Sequence, residues 1–76
     1  MSVKILLPQL GFSMDEGRLL SWLVADGDTV AQGAPLYELE GDKAVEEVEA
    51  PAAGRLKIIA APDQVYPVGT VLGELL

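Results

Sequence analysis

The chain has 76 residues, enough for one domain and one small core. Half of them are hydrophobic, too many for a disordered tail, and a formal net charge of −7 repels nucleic-acid phosphates and anionic lipid, leaving basic protein surfaces as fitting partners. With no Cys and no His, disulfides, thiol nucleophiles, zinc sites and histidine general bases are excluded.

The first predicted strand covers residues 3–7 and is stopped by Pro8. This run is too short for a secretory signal, and no run reaches membrane-spanning length, so a soluble, cytoplasmic monomer is expected. A second strand is predicted over 18–24, with Trp22 as a core or half-buried packing residue. Met14, in the loop before it, is read as packing and given no cofactor role. Asp26-Gly27-Asp28 makes a turn into a short strand over 29–30. Gly33-Ala34-Pro35 opens a strand over 36–40, and Gly41-Asp42 closes it. Further strands follow over 45–49, 55–60, 64–65 and 71–75. Eight Gly and five Pro punctuate these runs, and helix signals are weak. The pattern predicts an all-β sandwich or flattened barrel.

The chain also repeats itself. Gly17-Arg18-Leu19 matches Gly54-Arg55-Leu56, Asp28-x-Val30 matches Asp63-x-Val65, and Gly33-x-x-Leu36-x-x-Leu39 matches Gly69-x-x-Leu72-x-x-Leu75. Two copies are too few for a solenoid. They predict two four-stranded sheets related by a pseudo-two-fold axis, with the junction between the halves near residues 40–44.

That junction lies in YELEGDKAVEEVEAP, residues 37–51. Its one cation, Lys43, stands among Glu38, Glu40, Asp42, Glu46, Glu47 and Glu49. The flanking strands read as a half-buried hairpin with a solvated face, and Lys43 as the exposed tip. The plainest account of Lys43 is a solvated lysine balancing nearby carboxylates. For the glutamates a solvated strand face suffices, since nothing recurs at metal-loop spacing.

The wider context changes the reading of Lys43. The segments LPQLGFSMDEG (7–17), GDTVAQGAPLYELEGDKA (27–44), EVEAPAAGRL (47–56) and PVGTVLGEL (67–75), with Trp22, resemble a lipoyl domain of the dihydrolipoamide acyltransferase (E2) component of 2-oxo acid dehydrogenase complexes. Asp-Lys-Ala alone is a weak signal. The same tripeptide after Leu-Glu and before Glu-Val-Glu-Ala-Pro-x-x-Gly is specific. The resemblance implies one domain over residues 1–76, folded as a flattened barrel of two four-stranded antiparallel sheets. It implies lipoate in amide linkage on Lys43, with Asp42 and Ala44 recognised by the modifying ligase or octanoyltransferase. It implies a loop, 9–15, beside the modified lysine that helps a partner choose its domain. It implies a non-catalytic carrier whose arm visits an E1 decarboxylase, the E2 catalytic domain and an E3 dihydrolipoamide dehydrogenase. Such an acyltransferase continues into a linker, a subunit-binding domain and a catalytic domain, so an excised domain or a separately encoded carrier is expected.

One departure is Gly41, where the family usually has Thr or Ser. Biotin carrier domains share the fold but flank their lysine with Met on both sides; here Asp42 and Ala44 stand there, which favours lipoate. A glycine-cleavage carrier is longer and has extra helical segments. An interaction module with an unmodified Lys43 is the rival from another class. A free-standing enzyme would have only Ser, Thr, carboxylates and Lys to work with.

Overall fold

The computed structural model describes residues 2–10, 14–41 and 44–76. Eight strands follow in chain order: β1 Val3–Leu6, β2 Glu16–Trp22, β3 Thr29–Val30, β4 Pro35–Glu40, β5 Val45–Glu49, β6 Gly54–Ile58, β7 Gln64–Pro67 and β8 Val71–Leu75. They match the sequence reading strand for strand, with ends differing by one or two residues. They form two antiparallel four-stranded sheets, ordered β1-β8-β6-β3 and β5-β4-β2-β7.

The two orders are the same order when β1 is matched with β5, β2 with β6, β3 with β7 and β4 with β8. That is the predicted pseudo-two-fold relation. Three leucine pairs fill the space between the sheets: Leu19 with Leu56, Leu36 with Leu72, and Leu39 with Leu75, all essentially inaccessible to solvent. Turn contacts repeat as well. The Gly33 N–H donates to the Ala50 carbonyl and the Gly69 N–H to the Leu7 carbonyl, both at 2.9 Å.

The structure corrects the middle of the sequence repeat. Thr29 and Val30 pair with Arg55 and Gly54, whereas Val65 and Tyr66 pair with Arg18 and Gly17. The mate of Val30 is therefore Tyr66, and the mate of Gly27 is Asp63. Both turn residues have left-handed backbones, at φ 90° and 59°. The Gly27 N–H donates to the Leu56 carbonyl, and the Asp63 N–H to the Leu19 carbonyl. Matching Asp28 with Asp63 aligned like side chains and missed the like backbone. The offset between the halves falls by one residue between Leu19/Leu56 and Gly27/Asp63 because of a β-bulge: β2 is opposed by β4 at Leu19↔Leu39 and then at Ser21↔Glu38, leaving Leu20 as the extra residue. The same stretch of β6 pairs with β8 without a break.

β1 and β5 also correspond, which the sequence reading did not see. Each is opposed by a bulged partner, with Leu72 of β8 the extra residue across from Ile5 and Leu6, and Leu36 of β4 the extra residue across from Val48 and Glu49. The Leu7 N–H donates to Thr70 and the Ala50 N–H to Ala34, at 2.9 and 2.8 Å. Leu7-Pro8 thus mirrors Ala50-Pro51. The first half then needs residues 7–15 to reach β2, while the second needs only 50–53 to reach β6. This longer connection hides the match.

Past the bulge, the two-fold mates Tyr37 and Gly73 differ most. Trp22 fills the space that Gly73 leaves. Its ring lies 5.3 Å from that of Tyr37, tilted at 58°, and its Nε1–H donates to the Ala60 carbonyl at 3.1 Å. Trp22 is thus the half-buried packing residue expected. The Asp26-Gly27-Asp28 turn is held by its own carboxylates. Asp26 Oδ1 accepts the Ile58 N–H at 2.7 Å and Asp28 Oδ2 the Ala25 N–H at 3.1 Å.

Two tests follow from this packing. A Cβ at Gly73 would stand 2.7 Å from the Lys57 carbonyl oxygen and 3.3 Å from the Trp22 ring. Backbone cannot give way cheaply, so Gly73→Ala should cost about 1–3 kcal/mol in denaturant unfolding. Burial pushes the Tyr37 phenol from 10.0 up to about 12. The folded chain then holds this proton more tightly than the unfolded one. Stability from Tyr37 is intact below about pH 10 and lost towards about pH 12, at about 1.4 kcal/mol per pH unit. In alkaline melts, Tyr37→Phe should lose stability less steeply than the parent across that window.

Candidate functional site

The β4–β5 hairpin is paired to its end. Glu40 faces Val45 as the last ladder pair, and beyond it the Gly41 N–H donates to the Ala44 carbonyl at 2.9 Å. Two residues separate this closing pair in sequence, Asp42 and Lys43. Both lie outside the described residues, as do residues 11–13 of the loop expected beside them. Ala44 is described and exposed.

The hairpin sits at one end of the molecule. Pro35, at the start of β4, pairs with Glu49. From there residues 50–53 lead straight to Gly54, whose Cβ position is 2.9 Å from the Leu76 carbonyl oxygen. Strands β1 and β8 thus meet at the opposite end, the length of β4 away, about 20 Å at about 3.3 Å per residue. The turn and the chain termini are two-fold mates.

The two β4 carboxylates near the turn, Glu40 and Glu38, are already engaged. Glu40 Oε1 lies 3.7 Å from Arg18 Nε, whose guanidinium also reaches Asp63 at 3.4 Å. Glu38 Oε1 accepts the Ser21 hydroxyl at 2.9 Å. These exposed ion pairs add little stability, but Arg18 supplies Glu40 with a cation at the base of the turn. No group of carboxylates among the described residues is arranged to hold a metal ion. β5 is more exposed than the half-buried strand expected; only Val48 is partly covered. It is an edge strand, and its glutamates protect that edge from pairing.

The loop before β2 reaches the hairpin from the barrel end. Met14 is 2% exposed, the packing residue expected. Its Sδ accepts the Leu10 N–H at 3.3 Å, and its carbonyl accepts Gln9 Nε2 at 3.2 Å. Met14 Sδ and Leu10 Cδ1 both lie 3.6 Å from where a Cβ of Gly41 would be. The sequence reading gave Met14 a packing role and did not join it to Gly41; nothing in spacing alone reveals that contact.

The two sheets differ in charge although their backbones correspond. Across β5, β4 and β2 run Glu47, Glu38 and Ser21. Their mates across β1, β8 and β6 are Lys4, Glu74 and Lys57. Lys4, Arg55 and Lys57 all belong to the sheet without the turn. Glu38, Glu40, Glu46, Glu47 and Glu49 belong to the hairpin.

Comparison with known proteins agrees with this architecture. Residues 3–75 match the biotin/lipoyl family model described as biotin-requiring enzyme. The chain is 40% identical, over 96% of its length, to the dihydrolipoyllysine-residue acetyltransferase component of the acetoin cleaving system of Cupriavidus necator, and covers 20% of that protein. It is 43% identical, over 99% of its length, to the corresponding component of the pyruvate dehydrogenase complex of Rickettsia conorii, covering 19% of it. A 42% identical segment occurs in a pyruvate dehydrogenase E1 component subunit beta of Rhizobium meliloti, where the chain covers 17%. The chain thus spans about a fifth of the length of such relatives. Among solved structures, the lipoyl domain of the 2-oxoglutarate dehydrogenase complex from Azotobacter vinelandii superposes with a TM-score of 0.76 at 27% identity, covering 100% of this chain and 95% of that one.

Gly41 offers a direct test of the turn base. Its φ is not in the left-handed region, and an added Cβ would make ordinary contacts with Leu10 and Met14. Gly41→Ala should therefore be stabilising, by about 0.4–1 kcal/mol in chemical denaturation, chiefly by narrowing the unfolded ensemble.

Proposed function

The chain belongs to the biotin- and lipoyl-attachment family, and from that premise we propose that it is a lipoyl carrier domain with Lys43 as its attachment residue. The observation that carries the reading is the hairpin closed by Gly41 and Ala44, because Asp42 and Lys43 are the two residues between them in sequence. A lysine in such a turn has an amine that a modifying enzyme reaches without unfolding the sheet. Arg18 already partners Glu40 at the base of that hairpin, so Lys43 is not needed to neutralise it. Asp42 and Ala44 give the modifying enzyme a turn distinct from the Met-Lys-Met of biotin carriers.

The residues present fit lipoate. Ala44 is exposed at the closing pair, and the chain has no thiol that would exchange with a cyclic disulfide. In forming the amide, the neutral Lys43 amine would attack the carbonyl of lipoyl adenylate made from lipoate and ATP. The carbonyl–phosphate bond breaks, AMP leaves, and the nitrogen gives up a proton, so the side chain ends without its positive charge. A lipoyl group held on Lys43 would supply a dithiolane able to take up an acyl group together with two electrons. The chain's part is to hold the attachment point on a closed hairpin and to raise the arm's effective concentration at successive active sites. The hairpin's carboxylates give a face complementary to basic surfaces around those sites.

The proposed partners are an E1 decarboxylase, an E2 catalytic domain and an E3 dihydrolipoamide dehydrogenase, with a lipoate ligase or octanoyltransferase as modifying enzyme, in the cytoplasm. The named relatives serve acetoin and pyruvate systems alike, so either substrate suits the proposal. The domain is proposed to span residues 1–76.

The test is intact-mass spectrometry of the chain after incubation with lipoate, ATP and a lipoate ligase, with peptide mapping. One lipoyl group on Lys43 is expected; biotin uptake instead, or no modification, would overturn the reading. Lys43→Arg should abolish the modification and shift stability by no more than about 0.5 kcal/mol. A lipoylated Lys43→Arg chain would move the site to Lys4 or Lys57.

A further inference from the structure

The pseudo-two-fold symmetry shows which parts of the barrel exceed what the fold needs. Strand order, bulges and leucine pairs occur twice. The long connection over residues 7–15 occurs once, its mate being the short 50–53 segment. At the end built from the termini, the space over Gly54 is closed by backbone, the Leu76 carbonyl standing 2.9 Å from the Cβ position. At the turn end, the mate Gly17 is faced by the equivalent Glu40 carbonyl at 3.3 Å and by Leu39 at 3.1 Å, and Met14 Cε is added at 2.7 Å from its Cβ position. The second half closes its core without a counterpart of Met14.

We infer that Met14 is a positioning residue, joining Gln9 and Leu10 to Gly41 so that the modifying enzyme meets the loop and the base of the lysine turn as one surface. The inference rests on the carrier reading of Lys43. Met14 makes each of the required contacts. Its Sδ accepts the Leu10 N–H, its carbonyl accepts Gln9 Nε2, and its sulfur lies against Gly41. Gly41 in turn donates to Ala44 across the closing pair. A contiguous path thus runs from Leu10 through one thioether to the residues on either side of Asp42 and Lys43. Leucine would keep most of the volume at position 14 but could not accept the Leu10 N–H. Alanine would remove both the acceptor and the support beneath Gly41.

The test compares the parent chain with Met14→Leu and Met14→Ala in two measurements. Amide hydrogen exchange by NMR reads Leu10 and Gly41 individually, under conditions where each protein is folded. Steady-state lipoylation by a lipoate ligase, at varied concentrations of the domain, separates KM from kcat. Met14→Leu should speed exchange at Leu10 by roughly tenfold, the loss of one hydrogen bond, while Gly41 stays near the parent. Met14→Ala should speed exchange at both residues. It should also raise KM for the domain by roughly tenfold with kcat nearly unchanged, and Met14→Leu should restore most of that KM. A role confined to stability would change the folded fraction and leave KM for the folded domain alone. If the parent is lipoylated and folded Met14→Ala matches it in KM and in Gly41 exchange, Met14 has no positioning role. If the parent itself is not lipoylated, the carrier reading fails first.

Discussion

Two small sheets have to bury a single layer of side chains between them, and every other feature of the barrel depends on how that layer is filled. A chain of 76 residues has little apolar surface to spare. Six leucines, Leu19, Leu36 and Leu39 with Leu56, Leu72 and Leu75, occupy the middle in two-fold pairs. One packing solution is thereby used twice. The turns at Gly27 and Asp63 donate to the carbonyls of Leu56 and Leu19, so the core leucines also fix where the crossing loops lie. The inner strand of the hairpin, β4, is paired on both sides, with β5 and with β2.

Against this symmetric background the departures become informative. The Leu20 bulge and the exchange of Tyr37 for Gly73 balance each other. Trp22 takes the room left by Gly73 and rests beside Tyr37, and its N–H finds the Ala60 carbonyl. These are repairs inside the core. The long 7–15 connection repairs nothing, since the other half manages without one. Its residues Leu10 and Met14 lie against Gly41, at the hairpin end. A fold whose two ends are equivalent by backbone is made inequivalent there, at the end that holds the one lysine of the acidic hairpin.

The fold was largely legible in the sequence because Gly, Pro and Leu do most of the specifying. All eight strands and the two-fold relation follow from their spacing. The middle register escaped because like side chains, Asp28 and Asp63, were aligned where the chain had needed like backbones; a glycine and an aspartate serve the same left-handed turn position. The β1–β5 match escaped because unequal loops separate Pro8 and Pro51 from otherwise equivalent strands. At the candidate site, motif and resemblance singled out Asp42, Lys43 and Ala44. The contact of Met14 with Gly41 spans 27 positions of sequence and carries no spacing signature, so only the folded chain reveals it.

Charge breaks the symmetry in a second way, between the two sheets rather than between the two ends. Equivalent backbone rows carry Glu47 and Glu38 on one sheet and Lys4, Glu74 and Lys57 on the other. A uniformly acidic barrel would be drawn to a basic surface in any orientation. A barrel with five hairpin glutamates on one sheet and Lys4, Arg55 and Lys57 on the other, Arg18 being paired with Glu40, is turned as it approaches, the face of the hairpin sheet leading. For the carrier proposed above, orientation would matter as much as affinity, because the domain would have to present its hairpin sheet and then leave. Exposed, screened charges steer encounter while adding little to the lifetime of a complex. The same glutamates that keep β5 from pairing edge to edge thus also give the hairpin sheet the acidic face that the proposed carrier role uses.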